Sequence, residues 1–370
     1  MSIGAWEPPH IGPAAMGTDV LLWREGPLGR IRLNRPKAIN ALTLEMVRQL
    51  HVALDELAVD DAVDLVLLDG AGDRGFCAGG DIVALQRSAI DGTGEARTFW
   101  SEEYALNARV ARFSKPVVAV MDGIVMGGGI GLAGHASHRL ATERLAAAMP
   151  EVGIGFAPDV GGTWLLAHAP GELGTHLALT AGRAGASDAV LLGLADRIVP
   201  SSALEQLSGD LRTGEPNAAI EKAAGRATDA DLAPGVLGGQ RPWIDAAYAA
   251  DTAEAIVAGL DARPEEAAAK AAAAIRRASP TSVKVTLRAL REAASLPSLE
   301  AALEAELRIS CGFLGTPDFP EGIRAQVIDK DRAPRWNPPT LEQVGDVLVE
   351  HFFAREADAF ATHHTGGSTT

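Results

Sequence analysis

Two glycine-rich segments give the first sign of chemistry. Gly75-Phe76-Cys77-Ala78-Gly79-Gly80-Asp81 and Met126-Gly127-Gly128-Gly129-Ile130-Gly131-Leu132-Ala133-Gly134 each lie between a short apolar run and a helical pattern. In the second, Gly129, Gly131 and Gly134 satisfy GxGxxG after a strand, and Glu151 stands 20 residues beyond Gly131. That spacing suits a dinucleotide site. Three features weigh against it. The glycines begin earlier, at Gly127; the acid sits in Met149-Pro150-Glu151 and not at the end of an evident strand; and a second glycine loop exists. An oxyanion hole is the other chemical use. Backbone N–H groups left unpaired where a strand hands over to a helix can grip one developing negative oxygen, and glycine lets a ligand reach them without a Cβ in the way. Tight helix–strand packing would call for the same glycines, and spacing alone leaves both readings open.

Other reactive groupings are thin. His135 and His138 are three apart, as in a metal pair, but no third ligand is evident. Cys77 has no histidine partner and reads as a small buried residue. No Gly-x-Ser-x-Gly elbow occurs. Cys77 and Cys311 are the only cysteines and form no CxxC, so neither a disulfide framework nor a cysteine zinc site is expected.

The chain has 370 residues, 47% hydrophobic and 22% charged, enough for a sizeable core in one large domain or two ordinary ones. Its 33 basic against 48 acidic residues give a net charge of −15, which excludes a general nucleic-acid-binding surface. Residues 1–17 hold no apolar run of the secretory kind. The most apolar stretch, 116–133, is interrupted by Asp122 and four glycines, a poor membrane helix. A cytoplasmic protein without a membrane anchor is expected.

The elements that must position these loops are legible in outline. Residues 20–33 alternate around Gly26 and Gly29 as a hairpin does. Thr43 is placed to cap a helix bearing Leu44, Val47, Leu50, Leu54 and Leu57, and Asp81 to cap another. Residues 65–68 and 116–121 read as buried strands, the second leading to a helix from about Gly129. Short apolar runs alternating with helical segments mean an α/β architecture. From about Glu205 the texture turns helical. The Ala-rich stretch 261–278 is expected to be one helix with Pro264 in its first turn; Leu299, Leu303, Leu307 and Ser310 share a face of another; 341–353 forms the last. The organisation expected is an α/β core over 18–205, a helical region over 206–355, and flexible termini at 1–17 and 356–370.

Several segments then carry a resemblance. Asn34-Arg35-Pro36-Lys37-Ala38-Ile39-Asn40-Ala41-Leu42, Phe76 through Ile82, and Met126-Gly127-Gly128-Gly129 resemble the crotonase (enoyl-CoA hydratase/isomerase) superfamily. Glu102-Glu103-Tyr104, Ala148-Met149-Pro150-Glu151, the run from Gly155 through Pro158-Asp159-Val160-Gly161-Gly162, Ser279-Pro280-Thr281-Ser282 and Phe319-Pro320-Glu321-Gly322-Ile323-Arg324-Ala325 are similar to the 3-hydroxyisobutyryl-CoA hydrolase branch, as is Ile328-Asp329-Lys330-Asp331. The resemblance implies a spiral core of ββα units that binds acyl-CoA thioesters, with a helical C-terminal extension. It implies that the N–H groups of Gly80 and Gly128 form the oxyanion hole and that Glu151 and Asp159 are catalytic. Glu103, with Lys37, Ala38, Ala78 and Asp81 from the matching segments, would contribute to substrate binding. Arg35, Lys37 and Arg74 are candidates for the CoA phosphates, and equally for solvated surface. Relatives of this kind form trimers or paired trimers, so a homo-oligomer is expected.

One departure discriminates. Hydratases of the superfamily carry a glutamate three residues after the second glycine of the GGG loop; here that position is Gly131, which cannot move a proton. Glu151 matches the second hydratase acid, and Asp159 supplies another elsewhere. This favours hydrolysis, with a hydratase or isomerase, or a non-catalytic acyl-CoA-binding protein, as the alternatives. Glu151 would activate water or attack the thioester to give an anhydride. Asp159 would orient a 3-hydroxyl or assist the leaving thiolate. Neither a metal nor a cofactor is implied beyond the CoA carried by the substrate.

Overall fold

The structure, a computed structural model, describes residues 17–354. The expected hairpin forms from β1 (Val20–Glu25) and β2 (Leu28–Leu33), paired antiparallel. Thr43 Oγ1 accepts from Met46 N at 3.2 Å and so starts α1 (Leu44–Val59), as its position foretold. Three ββα turns follow. The first holds β3 (Leu65–Gly70), β4 (Gly75–Cys77), α2 (Ile82–Asp91) and α3 (Glu95–Ala111); the second holds β5 (Val117–Met121), β6 (Ile124–Met126) and α4 (Gly128–Ala133). The third holds β7 (His138–Ala141), β8 (Ala146–Ala148), a 3-10 turn (Glu151–Ile154) and α5 (Gly162–Ala167). After α6 (Leu173–Thr180) and α7 (Ala186–Leu191), β9 (Arg197–Ile198) closes the core.

The first strand of each turn joins a six-stranded sheet of order β1-β2-β3-β5-β7-β9, and the second joins a three-stranded sheet of order β4-β6-β8. A parallel sheet covered on both faces needs apolar residues at every position, which explains the unbroken runs in β3 and β5. Leu65, Leu67, Val118 and Val120 face one apolar cluster, while Val66, Leu68, Ala119 and Met121 face the main core. In the small parallel sheet Cys77 pairs with Val125 and Met126 with Ala148. The C-terminal ends of its strands therefore stand side by side, the edge of a parallel sheet from which ligand-binding loops issue. From them emerge Ala78-Gly79-Gly80, Gly127-Gly128 and Glu151.

The remainder is helical: α8 (Leu204–Leu211), α9 (Pro216–Ala224), α10 (Leu237–Tyr248), α11 (Ala253–Asp261), α12 (Glu266–Arg277), α13 (Pro280–Ala293), α14 (Leu299–Phe313), α15 (Asp318–Ile323) and α16 (Asp346–His351). Four expectations need correction. The division at 205/206 falls inside α8, whose Leu207 and Leu211 cover the outer face of the large sheet. The stretch 261–278 is not one helix: Asp261 ends α11, and Pro264 precedes the extended cap Glu265 of α12 and so lies outside its first turn. The stretch 341–353 divides because Gly345 is extended, leaving a 3-10 turn (Leu341–Gln343) and the short α16. Asp81 stands at the N-cap of α2 without a side-chain cap bond, its carboxylate lying 3.4 Å from Arg35 instead. The termini expected to be flexible, 1–17 and 356–370, lie outside the described residues apart from Gly17. No helix among the described residues is long and apolar enough to cross a membrane.

Candidate active site

The two glycine loops meet. Leu42 donates to Gly79 O and Asp81 donates to Leu42 O, each at 2.8 Å, which makes a parallel bridge centred on Gly80. In such a bridge the central residue's own N–H points away from its partner, and Gly80 lines a cavity of about 500 Å³. Gly128 lines the same cavity and opens α4, where an N–H has no intrahelical acceptor. A Cβ on Gly79 would lie 3.1 Å from Met126 O and 3.5 Å from Gly128 N, so the loops are in contact.

The glycines divide by position. A Cβ on Gly129 would come within 2.4 Å of Cys77 O, one on Gly131 within 2.6 Å of Val160 Cβ, and one on Gly134 within 2.7 Å of Ile130 O. The GxGxxG glycines are thus packed shut against protein, which removes the room a pyrophosphate would need. Gly80 and Gly128 line the cavity instead, and a Cβ there would meet side chains only: the Phe99 ring at 3.1 Å from Gly80, and Glu103 Oε1 at 2.3 Å and Leu42 at 3.2 Å from Gly128.

Three acids line this cavity. Glu103 comes from α3, Glu151 begins the 3-10 turn after β8, and Asp159 lies in the loop before α5. Glu103 Oε1 lies against Gly128 and Glu151 Oε1 against Gly127, so both carboxyls meet the second glycine loop. All three are buried. Burial, with the added repulsion of Asp159 and Glu151, drives the Glu103 carboxyl well above the ordinary range. Burial and Asp159 do the same to Glu151. Burial lifts Asp159 to about 7, against a hydrogen bond that Tyr104 donates to its Oδ2 at 2.7 Å. Glu103 Oε1 and Glu151 Oε2 have no protein partner and are free to meet a substrate. The site can therefore offer two amide donors to an oxyanion and, beside them, carboxyls whose charge is set by burial.

Of the other residues expected at the site, Ala78 lines the cavity. Lys37, Ala38 and Asp81 do not: Lys37 and Ala38 are exposed on a 3-10 turn, and Asp81 faces Arg35. The Lys37 turn still touches the site through the chain, because Ala78 N donates to Ile39 O. Arg35 also donates to Ala41 O, and Arg74 to Lys37 O, so both guanidiniums hold the loop together. His135 and His138 do not converge on a metal; His135 Nε2 bonds Val160 O at 2.9 Å while His138 bonds Ser137 and Asn217. Cys77 is buried, and burial pushes its thiol up to about 12.

Sequence reasoning missed three contributions. Trp100 and Phe156 stack at 5.1 Å, and Phe319 of α15 packs 5.4 Å from Phe156, making an aromatic wall. Tyr104 was seen only as part of a motif, yet its hydroxyl links Asp159 to Ser310 of α14, each at 2.7 Å. Glu306, also of α14, is a fourth buried acid; burial lifts it to about 8 although Gly161 N and Thr163 N donate to it at 2.6 and 2.9 Å. Its signal was an acid on an apolar stripe, Leu303-x-x-Glu306-x-x-x-Ser310-x-x-Phe313. Helix α15 of the extension thus reaches the cavity through Phe319, and α14 stands behind Asp159 through Ser310 and Glu306.

Comparison with known proteins agrees with this geometry. A family model described as Enoyl-CoA hydratase/isomerase matches residues 28–353. The chain is 39% identical over 352 residues to a protein of Danio rerio named 3-hydroxyisobutyryl-CoA hydrolase, mitochondrial, covering 93% of this chain and 92% of that protein. A structure described as a carnitinyl-CoA dehydratase from Mycobacterium thermoresistibile is 46% identical with a TM-score of 0.87, covering 92% and 97% of the two chains. One described as an enoyl-CoA hydratase from Rhodobacter sphaeroides is 41% identical with a TM-score of 0.84, covering 92% and 98%. With its ββα spiral, its paired glycine loops and these relatives over nearly its whole length, the chain belongs to the enoyl-CoA hydratase/isomerase family.

Proposed function

We propose that the protein hydrolyses the thioester of a short branched 3-hydroxyacyl-CoA, namely 3-hydroxyisobutyryl-CoA to 3-hydroxyisobutyrate and CoA, a step of valine breakdown. One observation carries the reading: Glu151 and Asp159 are buried together in a cavity also lined by Gly80 and Gly128, while the position of the other hydratase acid is Gly131, closed off by Val160 and Asn107. The thioester oxygen would sit on the N–H groups of Gly80 and Gly128, each worth ~3 kcal/mol as charge develops there. Glu151 then either takes a proton from the attacking water or itself attacks the carbonyl carbon. In the second route the C–S bond breaks, the thiolate leaves and is protonated, and water cleaves the resulting mixed anhydride. Asp159 orients the 3-hydroxyl or assists thiolate departure. Glu103, whose Oε1 has no protein partner, is placed to hydrogen-bond the acyl group. These steps need no cofactor beyond the CoA of the substrate and no metal.

The name of the Danio rerio relative supports hydrolysis; the descriptions of the two solved structures favour a second reading, water addition to or removal from an acyl-CoA. Thiol release separates the two. Purified protein is expected to free CoA from 3-hydroxyisobutyryl-CoA and to hydrate crotonyl-CoA poorly. Efficient hydration without thiol release overturns the proposal, and binding of both thioesters without turnover makes this an acyl-CoA-binding protein. We further propose a cytoplasmic location and a trimer-based homo-oligomer, checked by cell fractionation and by light scattering; the named relative is mitochondrial.

A further inference from the structure

We propose that Glu306, in the C-terminal extension, is a positioning residue for Asp159 and holds the strained turn that aims this carboxyl into the cavity. The proposal rests on the hydrolase reading for its kinetic consequence, and on the geometry alone for its structural one.

Asp159 sits at the start of a turn that an ordinary sequence would avoid. Val160 has φ +54° and Gly161 φ +78°. Glycine tolerates that region, but a β-branched residue there is an outlier that persists only where its surroundings impose it. Three side chains do so. His135 Nε2 donates to Val160 O at 2.9 Å, and Tyr104 donates to the Asp159 carboxyl itself. Glu306 takes the other side: one oxygen accepts from Gly161 N at 2.6 Å, the other from Thr163 N at 2.9 Å and from the Thr163 hydroxyl.

The chemistry of this grip is unusual. Glu306 is 1% exposed, so its burial is expensive, yet both its oxygens are occupied by two amides and a hydroxyl of a single short loop. It caps α5 from a helix about 145 residues away in sequence, at a position where the local N-cap, Gly161, has no side chain to do so. One turn further along α14, Ser310 Oγ stands 2.7 Å from the Tyr104 hydroxyl. Helix α14 therefore reaches Asp159 twice, through the backbone by Glu306 and through the carboxyl by Ser310 and Tyr104. Val160, fixed by this grip, covers Gly131 and leaves no room there for another side chain. Without Glu306 the turn would relax toward ordinary φ values, and the Asp159 carboxyl would swing away from the Glu151 side of the cavity.

The test combines kinetics and crystallography of full-length variants, with 3-hydroxyisobutyryl-CoA as the probe. For Glu306→Ala we expect kcat to fall about a hundredfold with KM changed less than about threefold, because a shift near 1 Å at a reacting group costs on that order while the binding surface stays intact. Glu306→Gln keeps one acceptor and should recover part of the loss. Glu304→Gln, on the exposed face of α14, should behave as the parent. Crystals of Glu306→Ala, or of Glu306→Met (similar in length, with no acceptor) should the alanine variant not fold, should show Val160 out of the left-handed region and the Tyr104–Asp159 bond broken. A turn unchanged in those crystals overturns the proposal, as does a Glu306→Ala kcat within threefold of the parent. If the parent itself releases no thiol, the hydrolase reading falls, and the crystal structure of the variant still decides the role of Glu306.

Discussion

Glu151 and Asp159 share a cavity but differ in what holds them. Glu151 keeps one oxygen without a protein partner, whereas Asp159 receives the Tyr104 hydroxyl. A carboxyl with a free oxygen beside the Gly127–Gly128 loop is the group placed to meet water or the thioester carbon. Replacing Glu151 with Gln keeps its size and removes its basicity, so turnover should fall by about 10²–10⁴-fold while acyl-CoA binding, measured calorimetrically, is largely retained. Unchanged turnover would remove Glu151 from the reaction. Tyr104 should act on the pH profile instead. Its hydrogen bond favours the ionised form of Asp159, which burial lifts to about 7. If the ionised form is the active one, activity rises with pH through that region. Tyr104→Phe removes the opposing hydrogen bond and should move the midpoint to higher pH, readable in the kcat/KM profile. A midpoint that stays in place assigns the limb to another group.

At the scale of elements, legibility followed the local signal. The hairpin, the Thr43-capped helix and the strands of 65–68 and 116–121 each declare themselves within a few residues, by alternation, capping or an unbroken apolar run. Helix α3 does not, although it carries Glu103 and Tyr104. It is buried on nearly all sides, from Ala96 and Phe99 through Glu103 and Asn107, so no polar face offsets an apolar one and the 3.6-residue stripe disappears. The site's acids Glu103, Glu151 and Asp159 were legible through motifs, whereas Glu306 was not, because its partners Gly161 and Thr163 lie in a distant segment. Long-range pairing of that kind leaves no local pattern. The packing between elements yields its own prediction. Gly131 of α4 faces Val160 Cβ and Asn107 Nδ2, at 2.6 and 2.9 Å from where its Cβ would be. Gly131→Ala must push the Asp159 turn outward, and overpacking of this sort costs about 1–3 kcal/mol. Denaturant unfolding should show that loss together with reduced turnover. A variant as stable and active as the parent would mean that the turn yields freely, against the rigidity argued for it.

Over the whole molecule the buried acids set how stability depends on pH. The surface supplies the usual direction: Arg324 donates to Glu321 and holds its carboxyl below the ordinary range, a contribution lost as pH falls. The site runs the opposite way. Asp159, ordinarily near 3.8, stands at about 7 in the fold, and Glu306, ordinarily near 4.5, at about 8. Between those values the folded chain holds protons that the unfolded chain has released. Their contribution is fully present below about pH 4 and is lost as pH rises through 7 and 8, because folding must then bury charge. A chain already at −15 adds to this when the cluster ionises. Asp159→Asn makes the separation visible. The amide oxygen can still accept from Tyr104, while no charge need be buried at any pH. At pH 3, below the ordinary aspartate range, Asp159 is neutral in the folded and mostly neutral in the unfolded chain, and the two proteins should differ little in Tm. At pH 8 the variant should be the more stable, by up to about 4 kcal/mol, the free energy of a shift from 3.8 to about 7. Thermal unfolding of both proteins at pH 3 and 8 measures this, and equal Tm differences at the two pH values would show that Asp159 is not the strained acid. The expected gain in stability comes with lost turnover, which is how a site that stores buried charge for its reaction differs from an acid that merely decorates the surface.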